Sequence, residues 1–192
     1  MQPMATAGAM AAALEGPVSE LDDFDAVVRL YWPRVFRYAL ASLRDPDAAG
    51  SVAQDCFLRA YAGRGRFRGD CPVARWLMQI AVNLVRDRAR SRRLQFWRRA
   101  EASGPDLDII GSRVADGALS PEARAVLEQQ VASVWSATRS LPEKQRAVFL
   151  LRFVDEMDVL EIAAVTGMRE GTVKAHLFRA VRTIRRRVGE SV

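Results

Sequence analysis

The chain has 192 residues, a formal net charge of +6 at pH 7 and a hydrophobic fraction of 49%. This length and hydrophobicity allow one or two domains with folded cores. One histidine and two cysteines leave little material for a metal site, a histidine-based catalytic triad or a disulfide framework.

Arginine supplies nearly all of the positive charge, because Lys144 and Lys174 are the only lysines. The arginines cluster in residues 86–99 and again in residues 179–187. A guanidinium fork fits phosphates and base edges better than an ammonium group does. The clustering therefore indicates a nucleic acid partner, and the alternative is an ordinary solvated basic surface.

The Ala-rich residues 1–20 are predicted to be a disordered tail. They lack the basic start of a signal peptide and are too short to span a membrane. Cys56 and Cys71 follow no metal-ligand spacing, which fits a reducing compartment. We therefore expect a cytoplasmic protein with no membrane span of its own.

The first half of the chain is predicted to be helical. In chain order, its helices are expected at 22–43, 46–62 and 73–98, with a loop at 63–72. Pro33 predicts a break or kink in the first of these helices. Asp45 is expected to cap the second helix, with Pro46 in its first turn.

Composition changes at residues 100–120, which are acidic and rich in glycine and are predicted to be a flexible linker. Beyond it, helices are expected from 121 to about 139, from Leu141-Pro142-Glu143 to about 154, from a start at Asp158, and from 170 to about 188. Asp158 and Glu161 have the spacing of a capping box at the third of these. The prediction is an all-α chain with two small helical domains, at 21–99 and 121–192.

Residues 158–187 have the pattern of a helix-turn-helix. One side of the last helix is apolar, with Val173, Leu177, Ala180, Val181, Ile184 and Val188. The opposite side carries Lys174, Ala175, Phe178, Arg179, Arg182, Arg185 and Arg186. Phe178 lies among cations, where it can contact thymine methyls or sugar while the cations bind phosphates and base edges. The alternative is a Phe178 that packs on a neighbouring element.

For His176, on the same helix, we expect a satisfied or exposed side chain rather than a base contact.

The helix expected at 73–98 is also two-sided. Its core side holds Leu77, Ile80, Ala81 and Leu84. Its other side holds Arg75, Trp76, Gln79, Asn83, Arg86 and Arg90, and the preceding loop adds Arg64, Arg66, Phe67 and Arg68. An amide, aromatic rings and arginines on one face suit unstacked bases and their backbone. The alternative is a solvated face with a half-buried Trp76.

The helix expected at 46–62 presents a third surface. Its predicted buried residues are Val52, Ala53, Cys56, Phe57 and Ala60. Its other side shows Asp47, Ser51, Gln54, Asp55, Leu58 and Tyr61, which is typical of a protein-binding face. The alternative is that this side packs against the first helix of the same domain. Cys56 falls on the buried side and is expected to be inert.

Two blocks of motifs carry a family resemblance. The first comprises Asp45-Pro46-Asp47-Ala48, Gln54 to Tyr61, Phe67-Arg68-Gly69 and Trp76 to Asn83. The second comprises Leu141 to Arg146, Glu161-Ile162-Ala163, Gly171 to Lys174 and Arg179-Ala180. In this order the blocks resemble regions 2 and 4 of bacterial RNA polymerase sigma factors of the extracytoplasmic-function (ECF) group.

The resemblance implies roles for the surfaces already found. Asp47, Ser51, Gln54, Asp55, Leu58 and Tyr61 would bind the clamp coiled coil of the polymerase β′ subunit, and residues 141–152 would face the β flap. Phe67 and Asn83 match positions that hold a base flipped from the minus-ten element, with Arg66, Arg68, Arg75, Trp76, Gln79, Arg86 and Arg90 near the melted strand. Arg169, Thr172, Lys174, Ala175, Phe178, Arg179 and Arg182 match the region that reads the minus-35 element. The acidic linker would thread the RNA-exit channel.

The resemblance therefore implies a promoter-recognition subunit that binds core RNA polymerase and promoter DNA and is controlled by an anti-sigma factor. It implies no catalysis, cofactor, metal or small-molecule substrate. One alternative is a stand-alone helix-turn-helix regulator, which leaves the first domain unexplained. An enzyme acting on nucleic acid is a further alternative, but the sequence has no convergent carboxylate cluster or metal-ligand spacing.

Overall fold

The computed structural model describes residues 21–96 and 121–189, and their side chains at 21–91 and 129–189. The predicted tail, the linker at 100–120 and the last residues of both predicted domains lie outside this part of the chain. Throughout the described ranges, regular structure is helical. The helices are α1 (Phe24–Leu43), α2 (Pro46–Gly63), α3 (Val73–Phe96), α4 (Pro121–Arg139), α5 (Glu143–Phe153), α6 (Val159–Thr166) and α7 (Glu170–Gly189), with a 3₁₀ turn at Arg64–Arg66.

Helix starts follow the predicted capping residues. The Asp45 carboxylate accepts from the Ala48 amide at 2.9 Å, and Pro46 occupies the first turn of α2. At α6, Asp158 accepts from the Glu161 amide at 2.7 Å, while Glu161 accepts from the Asp158 amide at 2.9 Å. This confirms the predicted capping box, which satisfies two amides that a helix start would otherwise leave unpaired.

Of the break or kink predicted at Pro33, the break is wrong, because α1 is continuous through this residue. Pro33 removes one amide donor from the helix and leaves one carbonyl oxygen without its usual partner. The residue is exposed, so water can bond the backbone at this point. The surrounding helix is retained because Val27, Val35 and Tyr38 bury its other side.

Helices α1, α2 and α3 pack on one another as a three-helix bundle. The predicted core residues of α2 and α3 are buried, except Ile80, which is half-buried. Cys56 lies in this core and its thiol donates to the Leu77 carbonyl at 3.4 Å. Burial raises the pKa of Cys56 to about 12, so the thiol stays protonated and unreactive at neutral pH.

The second bundle forms around α7, which packs against α4, α5 and α6. Its core includes Val148, Leu150, Ile162 and Val173, all fully buried. Helix α6 ends at Gly167, whose φ of +70° is a left-handed conformation that glycine adopts without strain. The turn then leads directly into α7, which completes the predicted helix-turn-helix.

The two bundles also contact each other, through α1 with α5 and α3 with α6. Arg34 of α1 bonds Asp155, which follows α5, with two contacts of 2.6 and 2.8 Å. Arg86 of α3 donates to the Thr166 carbonyl at the end of α6, at 3.2 Å. The sequence predicts two domains and a linker, but no contact between the domains.

The capping box gives a first prediction. Asp158→Ala removes the oxygen that accepts from the Glu161 amide, and loss of such a cap costs about 1 kcal/mol. For a protein of this size we expect Tm to fall by about 2–4 °C. Thermal unfolding followed by circular dichroism measures the change. Asp158→Ser keeps a capping oxygen and should unfold close to the wild-type temperature, so equal losses in both variants would contradict the assignment.

Candidate nucleic-acid interface

A surface pocket of about 350 Å³ opens where the end of α2 meets the start of α3. Its lining is Arg59, Gly63, Arg66, Phe67, Trp76, Ile80 and Asn83. Two guanidinium groups, two aromatic rings and one amide therefore surround a cavity large enough for a nucleobase. Rings of this kind stack on bases, and arginine and amide groups bond base edges and phosphates.

The folded segment between α2 and α3 builds this pocket. After the 3₁₀ turn, the Phe67 amide donates to the Arg64 carbonyl at 3.1 Å. The Phe67 and Trp76 rings then meet with centroids 4.9 Å apart and an interplanar angle of 37°. Gly69 has a φ of +74°, which favours glycine where the chain reverses toward α3. The ring contact thus joins the start of the loop, at Phe67, to the first turn of α3, at Trp76.

The structure brings four of the predicted minus-ten residues to the pocket lining: Arg66, Phe67, Trp76 and Asn83. Gln79 and Arg90 are exposed on α3 and Arg68 is exposed in the loop, outside the lining. Arg75 is half-buried, and its guanidinium donates to the Asp70 carbonyl at 3.4 Å. Arg86 does not line the pocket, and its guanidinium donates to the Thr166 carbonyl in the other bundle.

Sequence reasoning missed Arg59 and assigned Ile80 only to the core. Arg59 belongs to α2, and one helical turn separates it from Gly63, where that helix ends. Its exposed position at the loop end of α2 is the signal that could have identified it. Placing it at the pocket required the path of the loop, which the sequence does not show.

The last helix has the two faces that the sequence predicts. Val173, Ala180 and Ile184 are buried against the bundle. On the other side Lys174, Arg179, Arg182, Arg185 and Arg186 are exposed, together with Arg169 and Thr172 near the helix start. Phe178 is 68% exposed, so the alternative that it packs on a neighbouring element is wrong. Ala175 is half-buried beside this face.

Most of the predicted protein-binding face of α2 is exposed. Asp47, Gln54 and Asp55 are exposed, and Leu58 and Tyr61 are 60% and 50% exposed. Ser51 is half-buried and donates to the Asp47 carbonyl at 2.8 Å. The alternative, that this side packs against α1, holds for the Tyr61 ring, which meets the Phe24 ring edge-on with centroids 5.2 Å apart. Apolar groups beside exposed carboxylates are therefore available to a partner.

The segment expected to face a β flap is largely buried. Leu141, Val148, Leu150 and Leu151 belong to the core. Lys144 and Arg152 are exposed, and Phe153 is exposed just beyond the segment. The free surface of α5 is thus a narrow strip.

Among the side chains described, at 21–91 and 129–189, no group of three His, Cys, Asp or Glu is arranged to hold a metal ion. Within the same residues, no helix is long and apolar enough to cross a membrane.

Comparison with known proteins assigns both bundles. The sigma-70 region 2 family model matches residues 27–95, and the sigma-70 region 4 model matches residues 132–184. The ECF RNA polymerase sigma factor SigW of Bacillus subtilis is 30% identical over 168 residues, covering 87% of this chain and 89% of SigW. The sigma-H factor of Pseudomonas aeruginosa is 33% identical over 82% of this chain and 81% of its own length. The chain belongs to the ECF sigma factors.

Solved structures agree with this sigma factor fold. The sigma factor RpoE in complex with the anti-sigma factor NepR from Bartonella quintana has a TM-score of 0.69. It is 20% identical, and the match covers 88% of this chain and 98% of that chain. CnrH in complex with the cytosolic domain of CnrY has a TM-score of 0.63 and 21% identity, over 91% of this chain and 92% of that chain. The all-α, two-domain architecture is therefore the one expected of the family.

The sole histidine of this sigma factor lies on α7 beside the cationic face. His176 is half-buried, and its Nδ1 atom is shielded from solvent and has no hydrogen-bond partner. The expected satisfied or fully exposed side chain is therefore not found. Burial lowers the pKa of His176, and the nearby cations of Arg179 and Lys144 lower it further. The imidazole is neutral at pH 7.

This shift predicts a pH dependence of stability. Because the pKa of His176 is lower in the folded state than the ordinary 6.5, unfolded chains bind more protons near that pH. His176 should therefore cause stability to fall as pH drops below about 6.5. Urea midpoints at pH 7.5 and 5.5 measure this for the wild type and for His176→Gln. The variant should lose less stability on acidification, and identical losses would contradict the prediction.

Proposed function

We propose that this ECF sigma factor binds core RNA polymerase, directs it to promoters and opens the minus-ten element by capturing a flipped base. Region 2 would extend over residues 21–99 and region 4 over residues 121–192. The observation that carries the proposal is the pocket that joins Phe67, Trp76 and Asn83. Base capture would be the function of the first bundle, and a stand-alone helix-turn-helix regulator would not need it.

In this mechanism, the pocket drives opening because it binds the melted strand better than duplex DNA. A base that leaves the stack costs a few kcal/mol. The Phe67–Trp76 pair can offer a replacement stacking surface, and Asn83 is exposed at the rim to bond a base edge. Because duplex DNA presents no free base, these contacts stabilise only the melted strand and shift the equilibrium toward it.

The adjoining face would hold the strand itself. Arg66 and Arg68 are exposed in the segment between α2 and α3, and Gln79 and Arg90 are exposed on α3. Exposed cations of this kind bind phosphates regardless of sequence. We assign them to the backbone and assign base selection to the pocket.

The exposed side of α7 would read the minus-35 element in the major groove. Lys174, Phe178 and Arg179 lie on one exposed face at helical spacing. An aromatic ring can contact thymine methyls, and lysine and arginine can bond guanine edges or phosphates. Lys174 has an exposed ion pair with Glu170 at 4.0 Å, which is weak enough to exchange for DNA.

Two further surfaces are proposed to bind protein partners. The α2 face with Leu58 and Tyr61 is proposed for the β′ clamp coiled coil, and the free strip of α5 with Phe153 for the β flap. Two proteins of similar fold, RpoE and CnrH, were solved in complex with the anti-sigma factor NepR and with the cytosolic domain of CnrY, respectively. We propose that an anti-sigma factor likewise binds this chain and that both proteins act in the cytoplasm, where polymerase transcribes DNA. The sigma factor would supply binding energy, and polymerase would supply catalysis.

Removal of the pocket amide tests the melting role. Asn83→Ala should lower open-complex formation with core polymerase by about tenfold, as expected for a lost polar contact of about 1–3 kcal/mol. Permanganate reactivity of minus-ten thymines measures opening. Arg88→Ala is the control, because Arg88 is exposed on α3 about 140° away from Asn83. Normal opening by the Asn83 variant would show that the pocket assignment is wrong.

Truncation of the exposed ring tests the minus-35 role. Phe178→Ala should leave the fold intact, because the side chain is 68% exposed. It should reduce discrimination between a native and a scrambled minus-35 element by about 1–3 kcal/mol, the usual cost of a mismatched base pair. Competition binding of the holoenzyme to the two promoters gives this ratio, in which any effect on core binding cancels. An unchanged ratio would contradict the assignment.

A stand-alone regulator remains the competing function. Such a protein should protect promoter DNA from nuclease digestion without polymerase. The sigma factor should do so only when core polymerase is added, which the same footprint distinguishes.

A further inference from the structure

We propose that Arg64 is a positioning residue for the base pocket, because its side chain holds the turn after α2 in the conformation that brings Phe67 against Trp76. Arg64 does not line the pocket, although Gly63, Arg66 and Phe67 on either side of it do. Its effect on a captured base would therefore be indirect. This role rests on the proposed function, but the state of the turn can be tested without DNA or polymerase.

The side chain of Arg64 folds back onto α2. Its guanidinium carbon lies 3.6 Å from the centre of the Tyr61 ring, and Nη1 donates to the Tyr61 carbonyl at 2.6 Å. A cation over an aromatic face is attracted by the ring, and an arginine at a helix C-terminus bonds carbonyls that the helix leaves unpaired. Two kinds of contact thus tie one side chain to the last turn of α2.

The backbone of Arg64 takes part in two successive hydrogen bonds of the turn. Its amide donates to the Tyr61 carbonyl, and its carbonyl accepts from the Phe67 amide at 3.1 Å. A displacement of Arg64 would therefore move Phe67. Glycines at 63 and 65 flank Arg64, and glycine loses more conformational freedom on ordering than any other residue. The side-chain contacts of Arg64 offset part of that cost.

The turn belongs to a continuous row of side chains from α1 to α3. The Phe24 ring of α1 meets the Tyr61 ring edge-on, which supports the ring on which Arg64 lies. At the other end of the row, Phe67 packs on Trp76 of α3. No residue of the turn at 64–66 is buried, so core packing does not hold it in place. The contact between Arg64 and Tyr61 is therefore the link that lies in the turn itself.

A direct phosphate contact is the competing role for Arg64, because the residue is exposed and positively charged. A lost phosphate contact weakens binding to all sequences alike and reduces the slope of log affinity against log salt by about 1. A displaced pocket loop weakens binding to the preferred base and leaves the salt slope unchanged. The position of the guanidinium on the Tyr61 ring favours the positioning role, since it directs the charge toward α2.

Hydrogen exchange in the free protein, followed by NMR, tests the turn. Arg64→Ala should raise the exchange rate of the Phe67 amide about three- to tenfold, as expected from loss of an exposed cation–π contact and one hydrogen bond. Arg64→Lys keeps a cation near the ring and should recover part of the protection. Arg88→Ala is the matched control, because Arg88 is exposed on α3 and does not line the pocket. Unchanged exchange of the Phe67 amide in Arg64→Ala would overturn the role of the turn.

Base discrimination tests the consequence for the pocket. Holoenzyme is titrated with promoter DNA whose non-template minus-ten strand is unpaired, and each minus-ten base is replaced in turn by the other three. Where the wild type discriminates best, Arg64→Ala should lower the ratio of tightest to weakest binding by about threefold or more, a part of the usual cost of a wrong base. Arg64→Lys should restore part of the ratio. Each ratio compares DNAs on the same holoenzyme, so effects on core binding cancel.

The wild type and the variant together separate the two ways of failing. If the wild-type holoenzyme discriminates no minus-ten base, base capture is wrong and the positioning role falls with it. If the wild type discriminates and Arg64→Ala keeps the full ratio, only the positioning role is wrong. A uniform loss of affinity with a shallower salt slope would also overturn it, because Arg64 would then be a phosphate contact.

Discussion

Helices α3 and α7 must each bury an apolar side in order to expose a cationic side, and the rest of the structure depends on this constraint. In α3 the buried side includes Leu77 and Leu84, and in α7 it includes Val173 and Ile184. Burying an aliphatic side chain of this kind stabilises a fold by about 1.5–3 kcal/mol, whereas an exposed arginine contributes little to stability. The apolar stripes therefore fix each helix in its bundle, and the cationic faces follow as a geometrical consequence.

The two surfaces proposed to bind DNA differ in shape but are built from similar residues. The face of α7 is a rigid helix surface suited to the regular major groove, and its prominent ring, Phe178, projects into solvent. The pocket beside α3 needs a concave site for a base that has left the stack, so it is built from a loop as well as two helices. The same composition of arginine, aromatic rings and polar groups suits both proposed roles, because backbone shape decides whether a surface fits duplex DNA or an unstacked base.

Regular local patterns were predictable from the sequence because they depend on neighbours in the chain. The capping residues Asp45 and Asp158, the two faces of α7 and the burial of Cys56 all follow from spacing of a few residues. Predictions that depend on distant contacts were less complete. Arg59 reaches the pocket only because the loop folds back, and α1 continues through Pro33 because tertiary packing outweighs the lost hydrogen bond. Half-burial of His176 likewise depends on the elements packed around it.

The sequence by itself determined an all-α chain, its family and the faces that carry cations, because helical periodicity and local motifs encode these directly. Only the tertiary structure decided that the pocket closes around Phe67 and Trp76, and that region 4 rests on region 2. Arg34 and Asp155 show the reason. They are far apart in the chain, each is an ordinary charged residue in its own segment, and only the packing of α1 against α5 makes them a partly buried ion pair.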